Sequence, residues 1–80
     1  MEEFAKRVAY GAIISEDEEK AKKFGTILID QYGSNMEDSF DEHETLAEAQ
    51  TDAIERSELY LKLFSRNLNV ICEDIKLLEE

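Results

Sequence analysis

The chain has 80 residues, a formal net charge of −11 and 42% hydrophobic residues, so we expect one folded domain (residues 1–80) that repels nucleic acid and anionic membranes and attracts basic protein surfaces. The single cysteine, Cys72, excludes an internal disulfide and cannot complete a zinc site with the single His43, so no cofactor or metal is expected. The longest apolar run, residues 8–14, is too short to span a bilayer, and a lone thiol fits a reducing cytoplasm.

The amino-terminal segment has the spacing of a helix. Phe4, Val8 and Ala12 lie four residues apart, as they would on one face of a helix. Residues 10–14 would also suit an extended segment, so this stretch can be interpreted in two ways. We take the helical interpretation as the prediction.

A second helix is predicted over residues 16–24. Ser15 and Glu18 have the capping-box form, and acidic residues then precede lysines, which is the order that the helix dipole favours. The apolar residues of the stretch 26–32 would suit either a short buried strand or a continuation of the helix. Residues 33–35, with the sequence Gly-Ser-Asn, indicate a turn in either case.

The second half of the chain has the strongest periodicity. Apolar side chains recur at about 100° per residue, the spacing of one face of a helix. We therefore predict one long amphipathic helix over residues 41–78. The alternative is a break at residues 66–69, where two asparagines are poor helix formers. The predicted apolar face consists of Leu46, Ala49, Ala53, Ile54, Ser57, Tyr60, Leu61 and Phe64.

The last part of this pattern has the steps of three and four residues that form a coiled-coil seam. A helix over residues 41–78 would be about 55 Å long, more than the width of a compact domain of 80 residues. We therefore predict an all-α fold, a small helical bundle whose long carboxy-terminal amphipathic helix forms a homodimer. The alternative is an α+β fold with short strands near 26–32 and 69–73. The predicted dimer interface consists of Leu61, Phe64, Leu68, Ile71, Ile75 and Leu78.

Residues 37–58 contain nine acidic residues against one arginine, Arg56. On the predicted helix, six of these acidic residues form a row, with neighbouring carboxylates about 5–6 Å apart. The phosphates of one nucleic-acid strand are spaced on a similar scale. An exposed helix face usually alternates the signs of its charges, so this row predicts partner binding as well as solubility. The predicted partner-binding residues are Glu37, Asp41, Glu44, Glu48, Asp52 and Glu55.

In its size, its charge and this acidic row, the chain resembles phage-encoded inhibitors that imitate nucleic acid, including some anti-CRISPR and anti-restriction proteins. The resemblance implies competition: the row would occupy a groove lined by lysine and arginine on a nuclease, polymerase or regulator. We therefore expect a cytoplasmic, non-enzymatic inhibitor or regulator. Its expected partner is a basic protein surface, such as that of a nucleic-acid-binding protein.

Two other functions fit the sequence. The first is a helical dimeric structural or assembly protein, in which the apolar seam carries the function and the acidic residues serve solubility. The second is a metal-dependent hydrolase, in which Glu16 and Glu19 on one helix face Glu55 and Glu58 on another and hold magnesium. Nucleophilic catalysis by Cys72 is not expected, because the neighbouring carboxylates disfavour a thiolate.

Overall fold

The computed structural model describes residues 4–14 and 23–76. Within these residues the chain forms a mixed β-sheet and one helix, so the prediction of an all-α helical bundle is wrong. The α+β alternative fits better, because strands occupy most of both stretches for which it predicted them. Most of the helix predicted over residues 16–24 lies outside the described residues. The elements are β1 (Ala5–Ile14), β2 (Phe24–Asp30), β3 (Asn35–His43), α1 (Leu46–Phe64), β4 (Asn69–Cys72) and β5 (Ile75–Lys76).

The strands lie in the order β3, β2, β1, β4, and β5 also pairs with β1. The first three strands form an antiparallel meander, whereas β4 and β5 run parallel to β1. Two parallel strands cannot be joined by a tight hairpin, and α1 supplies the crossover between the meander and β4. The segment predicted as an amino-terminal helix is therefore the central strand of the sheet.

The turn between β2 and β3 covers residues 31–34 and overlaps the turn predicted at residues 33–35, although Asn35 already belongs to β3. Gly33 adopts a left-handed conformation with φ 83°, which glycine accepts without steric cost. The buried carboxylate of Asp30 accepts hydrogen bonds from the backbone N–H groups of Tyr32 and Ser34, each at 2.9 Å. Aspartate is common in turns because its side chain can accept hydrogen bonds from backbone N–H groups that have no partner in the sheet.

The apolar core lies on both faces of the sheet. On the face that α1 covers, Ala5 and Val8 pack with Ala53 and Leu68. The buried side chains of the opposite face are Ala9, Ile27, Ile29 and Ile75. Consecutive residues of a strand point to opposite faces, so β1 contributes to both clusters. No helix within residues 4–14 and 23–76 is long and apolar enough to cross a membrane.

The prediction of one helix over residues 41–78 is wrong at both ends. The observed helix, α1, begins at Leu46, where the Thr45 hydroxyl caps it by accepting a hydrogen bond from the Glu48 N–H at 3.1 Å. It ends at Phe64, because Ser65 adopts a left-handed conformation with φ 55°. The residues before α1 pair with β2 as a strand, and the residues after it pair with β1.

Candidate functional site

α1 packs on the sheet through small side chains. Ala49 and Ala53 are fully buried, so the helix lies close to the strands. The large apolar side chains lie on either side of this contact and remain at the surface. The exposed ones are Leu46, Ile54, Leu59, Leu61, Leu63 and Phe64. The apolar face predicted from the sequence is therefore only partly buried.

The predicted dimer interface does not form one surface. Leu68 and Ile75 are buried in core clusters on opposite faces of the sheet, and Ile71 packs against the second of these clusters from β4. Leu61 and Phe64 are exposed on α1. Leu78 lies outside the described residues. The predicted coiled-coil seam is therefore wrong, because residues 69–72 and 75–76 form strands and do not continue the helix, while homodimerisation itself stays a prediction.

A polar network joins β2, β3 and α1. The Thr26 hydroxyl, which is fully buried, donates a hydrogen bond to the Asp52 carboxylate at 2.5 Å. The same carboxylate oxygen lies 3.0 Å from His43 Nε2 and 3.1 Å from Arg56 Nε. Arg56 in turn pairs with Asp41 at the end of β3. Asp52 is thus a structural residue that holds α1 against two strands, and it does not stand free on an acidic row.

The pKa of Asp52 makes this network sensitive to acid. Burial raises the pKa, but the Thr26 hydrogen bond, the Arg56 charge and the contact with His43 together outweigh it, so the pKa lies below its ordinary value. As the pH falls, the unfolded chain therefore takes up a proton at this carboxyl before the folded protein does. The stabilisation is complete above about pH 4 and is lost as the pH falls through the lower folded pKa.

We therefore expect Asp52→Asn to destabilise the protein by about 2 kcal/mol at pH 7. This difference should shrink as the pH falls below the ordinary aspartate pKa of about 4, because the wild-type carboxyl then becomes uncharged, as the asparagine already is. Thermal unfolding followed by circular dichroism between about pH 2 and pH 7 measures the effect. Glu55→Gln, an exposed change on the same helix, should follow the wild-type curve. If the stability difference between Asp52→Asn and wild type were the same at every pH, the network would not stabilise the charged form of Asp52, and this interpretation would be wrong.

The structure places the six predicted partner-binding residues on three different segments. Glu37 and Asp41 lie on β3, Glu44 lies in the following loop, and α1 carries Glu48, Asp52 and Glu55. A row along one helix is therefore wrong. The end of β3 lies beside the start of α1, however, and this proximity brings most of the set together. Glu37 is exposed in the irregular part of β3, away from these contacts.

We name five acidic residues at the end of β3, in the following loop and on α1 the acidic face: Asp41, Glu44, Glu48, Asp52 and Glu55. Asp41 and Asp52 both contact the Arg56 guanidinium. Glu48 accepts a hydrogen bond from the Glu44 N–H at 3.3 Å, and it lines a shallow depression of about 400 Å³ with Asp52 and Glu55. Among the described residues, Glu44, Glu48 and Glu55 form no ion pair.

Beside the acidic face, a groove of about 340 Å³ lies between β3 and the last turns of α1. We name it the β3–α1 groove. Its apolar side comes from α1, with Leu59, Leu63 and Phe64. Its polar side comes from β3, with Asp38 and Asp41. The remaining lining residues are Leu28, Ser39, Arg56 and Tyr60.

Sequence reasoning missed three parts of this region. The helix predicted over residues 41–78 would include His43 in its first turn, whereas the residue ends β3 and contacts Asp52. Thr45 and Glu48 have the capping-box spacing, a signal that would have placed the helix start after His43. Leu59 and Leu63 lay off the predicted apolar face, although their spacing of four residues indicates one side of a helix.

The acidic face was also tested against the residues of the alternative functions. Of the residues proposed for a metal-dependent hydrolase, Glu55 and Glu58 lie on α1, while Glu16 and Glu19 lie outside the described residues. In the part of the chain that the structure describes, no group of three or more His, Cys, Asp or Glu side chains could hold a metal ion. Comparisons of the chain with models of protein families, with curated proteins and with solved structures find no match.

Proposed function

We propose that this protein is a non-enzymatic inhibitor or regulator that presents its acidic face to a basic surface of a partner protein, such as the surface with which that partner binds nucleic acid. One observation carries the proposal: the carboxylates of Asp41 on a strand and Asp52 on a helix contact a single guanidinium, and Glu44 lies in the loop that joins the two elements. Solubility requires only that the exposed side of α1 be polar. Solubility does not explain why the end of β3 adds a carboxylate to the same surface.

Three carboxylates of the acidic face supply the attraction. Glu44 and Glu48 lie at the amino end of α1, where the helix dipole stabilises negative charge by about 0.3–1 kcal/mol. Glu55 lies in the middle of the helix and receives no such stabilisation. The mutual repulsion of these charges is relieved when a cationic partner binds. Association with that partner should therefore be fast and should weaken as salt rises.

We expect the triple variant Glu44→Gln, Glu48→Gln, Glu55→Gln to bind a fluorescent oligolysine peptide about ten-fold more weakly than wild type at low salt, because each exposed ion pair contributes up to about 1 kcal/mol. Glutamine keeps an acceptor oxygen, so the hydrogen bond that Glu48 makes near the helix start can be retained. Asp52 is left unchanged because it holds the polar network together. Fluorescence anisotropy measures the affinity, at low salt and again at about 0.3 M salt, where the difference should shrink.

The control is a second triple variant, Glu37→Gln, Glu73→Gln, Asp74→Asn, whose changes are also at exposed positions but lie outside the acidic face. Both variants remove three negative charges, from −11 to −8, so they differ only in where the charge is lost. The control should bind the peptide nearly as well as wild type. An equal loss in both variants would mean that net charge alone attracts the peptide, and the proposal would be wrong.

A further inference from the structure

We propose that the β3–α1 groove holds one large apolar side chain from a basic segment of a partner protein, and that lysine or arginine residues beside that side chain pair with Asp38, Asp41 and Glu55. This inference rests on the proposed function, because it concerns the same partner. It adds a second contact surface with different chemistry. The acidic face attracts the partner by charge, and the groove selects a segment by its apolar anchor.

The apolar side of the groove is open to solvent. Leu59 is 54% exposed, Leu63 is 65% exposed and Phe64 is 56% exposed. Single exposed leucines are ordinary on protein surfaces, but three large apolar side chains along one concave surface indicate a binding site. The volume of about 340 Å³ lies at the lower end of the range of small-molecule pockets, about 300–1,000 Å³. A groove of this size suits one large side chain.

The groove is held in shape before any partner arrives. The Tyr60 hydroxyl accepts a hydrogen bond from the Ala5 N–H at 3.0 Å, which ties the helix to β1. The Tyr60 and Phe64 rings pack with their centroids 4.5 Å apart. At the other end, Arg56 donates to the Ser39 carbonyl at 2.5 Å. A preformed site needs little ordering on binding, so more of its contact energy appears as affinity.

The charge of the groove indicates which occupant it takes. Asp38 and Asp41 line it from β3, and next to the groove on α1 Leu59 lies with two carboxylates, Glu55 and Glu58, and one lysine, Lys62. Arg56, the one cationic residue among those that line the groove, is engaged by Asp41 and Asp52. The potential at the rim is therefore negative, which favours a basic segment. A second copy of this chain would carry the same charge of −11 and is disfavoured.

We expect the partner to insert a side chain into the groove and not to pair a β-strand with the edge strand β3. β3 is an edge strand, but its register with β2 shifts between Thr26 and Leu28. The carbonyl of Ser39 within this irregular stretch already accepts a hydrogen bond from Arg56. Bulges and charged side chains are the features that keep an edge strand from pairing with another chain.

Two oligolysine peptides test the inference, one with a central phenylalanine and the other with serine at that position. We expect wild type to bind the phenylalanine peptide about ten-fold more tightly, because burial of one aromatic side chain gives a difference of that order. Leu63→Gln should reduce this preference to less than about two-fold. Leu61→Gln is the matched control, because Leu61 is exposed on α1 but does not line the groove, and it should keep the preference. Thermal unfolding of both variants checks that they remain folded.

Equal affinity of wild type for the two peptides would overturn the groove inference, and so would a preference that survives Leu63→Gln. Neither result would affect the proposed function, which is decided by the glutamine triple variants and the peptide without an anchor. Sedimentation of wild type and Leu63→Gln tests whether a second copy of the chain occupies the groove. A wild-type dimer that Leu63→Gln converts to a monomer would assign the groove to a second copy and would also overturn the inference.

Discussion

Leu68→Glu is expected to unfold the protein, whereas Leu61→Glu is expected to leave it folded. Leu68 is 5% exposed and packs with Val8 and Ala53 between the sheet and α1. Its carbonyl also accepts a hydrogen bond from the Ser57 hydroxyl at 2.9 Å, which fixes the chain after the helix. A carboxylate buried there without a partner costs roughly 4–5 kcal/mol, a large part of the total of about 5–15 kcal/mol for a typical domain.

Leu61 is 45% exposed on α1, so glutamate at this position should cost less than about 1 kcal/mol. Urea denaturation followed by circular dichroism measures both variants. A coiled-coil seam would make the two positions equivalent, and both substitutions would then leave the domain folded and break a dimer. Two folded variants of similar stability would therefore contradict the sheet that the structure places after α1.

Gly11→Ala should destabilise the protein by about 3 kcal/mol. A Cβ atom at Gly11 would overlap the carbonyl oxygen of Glu73 and lie 2.7 Å from its carbonyl carbon. Both are backbone atoms in the connection between β4 and β5, so no side-chain rotation relieves the clash. The connection would have to move away from β1, and the hydrogen bond from the Glu73 N–H to the Tyr10 carbonyl, at 2.9 Å, would be lost.

Gly25→Ala provides the comparison, because Gly25 is also buried in a strand. Its Cβ atom would lie 2.7 Å from the edge of the Phe40 ring, which can shift, and 3.1 Å from the carbonyl oxygen of Asp41, which would have to move by only a few tenths of an ångström. We expect a smaller loss of about 1 kcal/mol, measured by urea denaturation as for Gly11→Ala. If Gly25→Ala lost as much stability as Gly11→Ala, the clash with the Glu73 backbone would not explain the effect of Gly11→Ala.

The centre of α1 could be predicted from the sequence because its apolar spacing is local. Strands β1, β4 and β5 were predicted as helix for a physical reason. Val8 and Ala12 in β1 lie four residues apart, and residues four apart share a face in a strand as well as in a helix. Ile71 in β4 and Ile75 in β5 have the same spacing, and both belong to the apolar layer on one face of the sheet. Only pairing with distant strands decides between the two conformations, and this pairing is not visible in a short window of sequence.

β3 could not have been predicted from local preferences. Aspartate, glutamate and asparagine, which are disfavoured in strands, make up much of Asn35–His43. The segment is a strand because it completes the meander on β2.

The composition of the candidate site could be predicted, since most of the expected carboxylates do come together. The geometry of the site could not be predicted, because Asp52 can contact Thr26 and His43 only when β2 and β3 lie beneath α1.

An NMR titration of isotope-labelled protein with the oligolysine peptide tests the acidic face most directly. We expect the largest shift changes at the backbone amides of Glu44, Glu48 and Glu55, and small changes at Glu73 and Asp74, which are equally exposed but lie on the connection between β4 and β5. Changes that are spread evenly over the exposed carboxylates, or that are largest at Glu73 and Asp74, would contradict a binding face at the junction of β3 and α1.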